Sequence, residues 1–181
     1  YFDIIYQKED KPYEEYQREI TKVLEDSIKY HKVTSDVEVG SYLSGGVDSS
    51  YVVAKAKPDK TFSVGFEENG FDETKLAHDF SDIMHVKNSS RYISKEDFFS
   101  SLPKVQYYTD EPHANLSTVP LLFLSELAVK DVKVVLSGEG SDEMFGGYNE
   151  YLEPNIVKLY MKIPSFIKTS MASVSKKLPH F

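Results

Sequence analysis

Two short runs in this sequence combine glycine, serine and acidic residues in a way that suits phosphate chemistry. The first is Ser44-Gly45-Gly46-Val47-Asp48-Ser49-Ser50. Paired glycines let a backbone approach a ligand with no Cβ in the way. A helix beginning there offers unpartnered N–H groups and a dipole that favours an anion. Ser44, Ser49 and Ser50 add hydroxyl donors, so the run reads as a phosphate cradle. It is not a Walker A loop, which has a longer spacing and a lysine. Asp48 stands out, because a carboxylate beside phosphates repels them unless a cation lies between. Mg2+ is held by one or two carboxylates together with substrate phosphates, and Asp48 therefore reads as a metal ligand.

The second run is Ser137-Gly138-Glu139-Gly140-Ser141-Asp142-Glu143, followed by Gly146-Gly147-Tyr148. Here Asp142 is expected to share the metal with Asp48. Ser137 and Gly138 offer backbone groups to an adenine or ribose, and Glu139 suits orienting a nucleophile or taking its proton. Plainer readings exist for both runs. A Gly-Gly pair after a strand is usually only a turn, and Ser141-Asp142 has the composition of a helix cap. The first run resists that reading: with Gly and Ser near 7% each, its five fixed positions arise by chance about once per million sites.

Both runs need a scaffold that ends a strand and starts a helix. Val37, Val39 and Leu43 predict a buried strand leading into Gly45-Gly46, with Tyr51, Val52, Val53 and Ala54 beginning the next helix. Upstream, 1–11 reads as an extended lead-in. Pro12 suits a first helical turn, and Ile20, Val23, Leu24 and Ile28 give that helix one apolar packing face. Further strands are expected at 61–66, 85–93 and 132–136. Helices are expected around 72–84 (Leu76, Ala77, Phe80, Ile83 and Met84 inward), at Phe98, Phe99 and Leu102 until Pro103 interrupts or ends it, and at 120–130. After Tyr151, helical segments are broken by Pro154 and Pro164 among the basic residues Lys162, Lys168, Lys176 and Lys177. Strands alternating with helices imply an α/β fold with a mostly parallel sheet and helices on both faces. Ligands of such sheets bind outside the carboxyl ends of the strands, which is where both runs would lie.

Composition narrows the partners. The 181 residues fit one domain with its own core. A net charge of −8 argues against nucleic acid, and no apolar run approaches the roughly 20 residues of a membrane span. The absence of cysteine excludes disulfides, thiolate metal sites and a Cys nucleophile from these residues. A cytoplasmic location is the default expectation. The chain starts at Tyr1 rather than Met and stops at Phe181 without a tail signal, which reads as a piece of a longer protein.

The first run resembles the pyrophosphate loop of the N-type ATP pyrophosphatases, a superfamily with an adenine nucleotide alpha hydrolase-like fold. Leu136-Ser137-Gly138-Glu139-Gly140-Ser141-Asp142-Glu143-Met144-Phe145-Gly146-Gly147-Tyr148 is similar, nearly residue for residue, to the signature of asparagine synthetases. Phe62-Ser63-Val64-Gly65-Phe66, Asp110-Glu111-Pro112, Pro120 and Ser125-Glu126-Leu127-Ala128 fit as well. The resemblance covers about 1–166 and implies a truncated synthetase domain over 1–181. It implies ATP and Mg2+ as cofactors, aspartate as substrate, and ammonia supplied from glutamine by a glutaminase domain of the full-length chain, with a homodimer allowed. Carried over, Ser44, Gly45, Gly46, Val47, Asp48 and Ser49 hold pyrophosphate and metal. Tyr42, Val64, Ser137 and Gly138 line the nucleotide pocket, although the family often has Leu at the position of Tyr42. Glu139, Asp48 and Asp142 are the catalytic set. The glutaminase domain with its leading Cys, the aspartate-recognition segment and a catalytic Lys have no counterpart here, so this piece alone is expected to be inactive. The competing readings are a β-lactam synthetase-like enzyme that adenylates another carboxylate, and a non-catalytic nucleotide-binding module.

Overall fold

The computed structural model describes residues 5, 7, 9–67, 73–111, 114–152 and 154–169. Asp72, Pro112, Lys176 and Lys177 lie outside the described residues, as does most of the lead-in. The chain divides into two compact units, 1–139 and 140–181.

In the first unit the elements run α1 (Tyr13–Val33), β1 (Val39–Tyr42), α2 (Val47–Ala56), β2 (Lys60–Phe66), α3 (Thr74–Met84), β3 (Lys87–Ile93), α4 (Lys95–Thr109), α5 (Thr118–Ala128) and β4 (Val134–Leu136). The four strands form one parallel sheet in the order β3-β2-β1-β4. From β1 the chain winds outward to β2 and β3, then returns to lay β4 on the other side of β1. The strand order therefore reverses between β1 and β4, the point outside whose carboxyl ends ligands of open parallel sheets bind.

Side-chain alternation along the strands puts different chemistry on the two faces. On one face Phe62, Ala128 and Val132 form a cluster with Tyr42 and Leu124 against it. A second cluster joins Ile93, Val105, Val119 and Phe123, which brings α4 and α5 onto this face. The opposite face carries Leu43 packed with Val53 of α2 and Ala77 of α3. There β1 and β2 also present Ser41, Thr61 and Ser63, each almost fully buried. Helices thus cover both faces of a parallel sheet, as the strand–helix alternation predicts.

Three local expectations differ from the structure. Helix α4 runs unbroken through Pro103. A proline in a helix interior loses its own N–H bond and crowds the carbonyl four residues back, but α4 is anchored on both sides of it. Ser94 and Asp97 form a reciprocal capping box at its start, and Val105 is buried beyond the proline. Helix α1 buries no residue: Leu24 and Ile28 are half-buried, whereas Ile20 and Val23 are exposed. Polar links add to the hold of Leu24 and Ile28: Lys32 Nζ donates to the carbonyls of Ala56 and Lys57 at 2.9 and 2.7 Å, and Lys55 pairs with Glu25. In α3, Ala77 is buried and Phe80 half-buried, but Leu76 and Ile83 face outward.

The second unit holds α6 (Ser141–Phe145), a 3-10 turn (Asn149–Tyr151) and α7 (Asn155–Met161). None of its described residues is buried. Among the described residues, no helix is long and apolar enough to cross a membrane.

Candidate functional site

The first loop is built so that its own side chains hold it open. Gly45 takes a left-handed φ of +87°. A Cβ there would lie 2.6 Å from the Leu76 Cβ and 2.9 Å from the Ala77 nitrogen, so α3 presses on the turn from behind. Gly46 is the N-cap of α2 and has no side chain with which to cap it. The N–H groups of Val47, Asp48 and Ser49, the first three residues of α2, therefore lack intrahelical partners. Helix α2 begins at Val47, several residues before the apolar stretch Tyr51–Ala54, so its amino end is part of the loop itself.

The serine hydroxyls shape this turn. Ser49 Oγ accepts from the Ser44 N–H at 3.2 Å, lies 3.0 Å from Ser44 Oγ and is 3.3 Å from the Gly46 carbonyl. Ser44 Oγ in turn accepts from the Gly46 N–H at 3.2 Å. Two hydroxyls thus bridge the two ends of the loop and fix a concave backbone. The Asp48 carboxylate is exposed and makes no hydrogen bond or ion pair among the described residues.

The strand β4 delivers the start of the second loop to the same place. A Cβ at Gly138 would lie 2.9 Å from the Ser49 nitrogen and 3.0 Å from the Asp48 carbonyl carbon. Only glycine allows this approach, and it sets the backbone of Ser137-Gly138 against the amino end of α2. Ser137 Oγ accepts from the Glu139 N–H at 3.2 Å, which shapes the turn, and the Glu139 side chain is exposed. Tyr42, the last residue of β1, packs against the Phe62 cluster and places its hydroxyl 3.1 Å from Ser125 Oγ of α5. Val64 is half-buried beside the Ile93 cluster.

The first unit therefore unites Ser44, Gly45, Gly46, Val47, Asp48 and Ser49 with Ser137, Gly138 and Glu139, flanked along the strands by Tyr42 and Val64. Asp142 belongs to the second unit, in the first turn of α6. There Gly147 fits against it so closely that a Cβ would sit 1.9 Å from Asp142 Oδ1. The N-cap of α6 is Gly140 with φ +91°, so Ser141-Asp142 is the start of the helix and not its cap. Tyr148 donates to Glu143 Oε1 at 2.7 Å. That bond holds the Glu143 carboxyl below the usual carboxylate range and pushes the Tyr148 phenol up to about 12. No group of three or more His, Asp or Glu side chains among the described residues is arranged to hold a metal unaided.

Sequence reasoning missed the buried polar groups behind the first loop. Ser63 donates to the Leu43 carbonyl at 2.6 Å. The signal was present in β2, where Thr61, Ser63 and Gly65 recur at every second position on one face, opposite Phe62, Val64 and Phe66.

The asparagine synthase family model matches residues 19–180. The chain belongs to the asparagine synthase family. It is 44% identical over 166 residues to asparagine synthetase (glutamine-hydrolyzing) 1 of Bacillus subtilis, covering 90% of this chain and 26% of that protein. A putative asparagine synthetase (glutamine-hydrolyzing) of Mycobacterium tuberculosis is 43% identical over 165 residues, covering 89% of this chain and 25% of that protein. The chain thus spans about a quarter of the length of these asparagine synthase relatives. Among solved structures, the NH3-dependent NAD synthetase of Campylobacter jejuni aligns with a TM-score of 0.46 and 16% identity, over 73% of this chain and 60% of that one.

Proposed function

We propose that this chain supplies the nucleotide-binding part of a ligase that forms asparagine from aspartate, ATP and ammonia. The observation that carries the reading is the meeting of two glycine turns at the carboxyl ends of adjacent strands β1 and β4. The amino end of α2 is uncapped there, and Gly138 lies against its backbone. The N–H groups of Val47, Asp48 and Ser49 suit the β- and γ-phosphates of ATP, which leave as pyrophosphate. A β-carboxylate oxygen of aspartate attacks the α-phosphorus. The bond from that phosphorus to the bridging oxygen breaks, giving an acyl-adenylate. Ammonia then attacks the acyl carbon, loses a proton, and AMP departs with the electron pair of the acyl–oxygen bond. Such a step depends on alignment and charge neutralisation more than on covalent help.

The roles proposed with it are these. Gly46 leaves room for phosphate, and Tyr42, Val64, Ser137 and Gly138 border the nucleoside. Glu139 orients ammonia or takes its proton. The residues fit Mg2+: an exposed carboxylate with no protein partner among the described residues, at the end of a helix that attracts phosphate, matches an ion that takes part of its shell from the substrate. Asp48 would hold it, with Asp142 as a second carboxylate on the sequence argument alone. The ion would neutralise phosphate charge. In the full-length protein, a glutaminase domain would supply the ammonia.

Titration calorimetry with ATP tests the reading. Binding is expected with Mg2+ and at least about tenfold weaker without it. Equal affinity in the absence of metal would remove the metal role of Asp48, and no binding in either case would remove the nucleotide reading.

A further inference from the structure

Two buried serines share one geometry. Ser63 Oγ of β2 donates to the carbonyl of Leu43, the residue just before Ser44, at 2.6 Å. Ser41 Oγ of β1 lies 3.2 Å from the carbonyl of Leu136, the residue just before Ser137, and 3.3 Å from that of Tyr42. Each strand that launches a loop therefore has a carbonyl at its exit held by a hydroxyl from the next strand. Both serines are almost fully buried, at 1% and 0% exposure, where a lost hydrogen bond cannot be replaced by water.

Asn88 of β3 gives the Ser63 bond its direction. Its Nδ2 donates to Ser63 Oγ and to Thr61 Oγ1, both at 3.0 Å. Thr61 continues to Ser81 Oγ of α3 at 3.0 Å. Because Ser63 Oγ receives a proton from Asn88, its own proton is left for Leu43. The Asn88 Oδ1 is buried without a hydrogen-bond partner among the described residues. Reversing the amide would satisfy that oxygen but bury two unpartnered N–H donors in its place. It would also turn the Ser63 proton away from Leu43. The network thus runs Asn88 to Ser63 to the base of the first loop. Ser41 makes the matching link at the base of the second.

We propose that Asn88, Ser63 and Ser41 are positioning residues for the nucleotide site. They fix the exits of β1 and β4 so that Gly138 can lie against the backbone of Asp48 and Ser49. None of the three is placed to touch the nucleotide. The inference rests on the nucleotide reading for its consequence, not for its geometry. A shift of a few tenths of an ångström at either exit would open or close an approach in which a Cβ would sit 2.9 Å from the Ser49 nitrogen.

The test compares Ser63→Ala, Asn88→Leu and Ser41→Ala with Val105→Ala, a cavity variant in the α4–α5 cluster away from both loops. Hydrogen exchange by mass spectrometry without nucleotide reads the loops directly. Ser63→Ala and Asn88→Leu are expected to speed exchange of the 43–49 segment about five- to tenfold, and Ser41→Ala that of 136–139, the effect of losing one buried hydrogen bond. Exchange in α4 should stay at the wild-type rate in these variants. Val105→Ala should do the reverse. ATP affinity should fall by a similar factor in the three network variants and stay unchanged in Val105→Ala at equal or lower thermal stability. Loop exchange unchanged, or raised only in step with exchange everywhere else, would overturn the proposal. A wild-type chain that binds no ATP would strike the nucleotide reading alone, and the exchange measurement would still decide this one. Should a network variant fail to fold, the other two, on different strands, carry the same comparison.

Discussion

The two glycine loops share a composition but are built differently. The first lies wholly within the sheet-bearing unit. Its turn is pressed by α3 behind Gly45, bridged by Ser44 and Ser49, and tied at its base by Ser63. The second divides after Glu139. Ser137-Gly138-Glu139 stay with the sheet, while Gly140 onward belongs to a unit with no buried residue among those described. Among its described residues, Gly147 lies close against Asp142 and Tyr148 donates to Glu143. Cradling phosphate needs a backbone held to a fraction of an ångström, and a packed sheet edge provides that.

The same substitution in the two loops separates these cases most sharply. Gly45→Ala adds a left-handed strain at φ +87° and a clash with the α3 backbone. A loss of about 2–4 kcal/mol is expected in urea denaturation. Gly140→Ala, at φ +91° with nothing within 4 Å, carries the strain alone, and about 1–2 kcal/mol is expected. Equal losses would mean that α3 does not brace the first loop.

Gly46→Val probes function without a left-handed φ, since a Cβ there meets only Ser44 Oγ at 3.3 Å, which must give by a few tenths of an ångström. Circular dichroism should be unchanged while ATP affinity falls by about a hundredfold, as branched carbon fills the phosphate space. Unchanged affinity would reduce the loop to an ordinary turn. A smaller effect is expected for Asp48→Asn. The benefit of Mg2+ to ATP binding should shrink by about tenfold, with metal-free binding unchanged or slightly stronger as a negative charge is removed. If the Mg2+ dependence survives intact, the ion is held elsewhere.

The sheet was legible because its strands are apolar runs ended by glycine turns. Val39 to Leu43 and Val132 to Leu136 announce both loops. The start of α2 was harder to place, because Val47 to Ser50 read as loop and the helix was expected from Tyr51, yet exposed Val47 serves as the first helical residue. Pro103 misled for a related reason: helix α4 keeps its course because a capping box and a buried Val105 hold it on either side of the proline. The exposed stripe of α1 and the hydroxyl network behind Leu43 depend on what packs across the sheet. No local periodicity records which strand lies next to which. Membership of the site could be read from types and spacing for residues on one loop, where chain connectivity guarantees proximity. The approach of Gly138 to Ser49 came only with the β1–β4 pairing.

The smallest expected effect lies in the second unit, and it asks whether local polar contacts are what order it. Tyr148 donates to Glu143 only while the phenol is protonated, and the bond is strongest while the carboxyl is ionised. The contact therefore holds Glu143 below its ordinary value and raises Tyr148 to about 12. The stabilisation linked to Glu143 is present above the ordinary carboxylate pKa and is lost as pH falls through the lowered one. The part linked to Tyr148 is present below the ordinary phenol pKa, near 10, and is lost as pH rises through about 12. Both groups are exposed, so solvent screening keeps the energy small and the titration is the better readout. In an NMR titration of the side-chain carboxyl, Glu143 should ionise at a lower pH in the wild type than in Tyr148→Phe. The two curves should merge where the carboxyl is fully protonated. Hydrogen exchange across 141–148 should rise in Tyr148→Phe at neutral pH and leave 43–49 untouched. A Glu143 midpoint indifferent to Tyr148→Phe would mean that the hydroxyl contact is not maintained in solution. The second loop's acidic turn would then owe its shape to its glycines alone, and the contrast with the hydroxyl-bridged first loop would be sharper still.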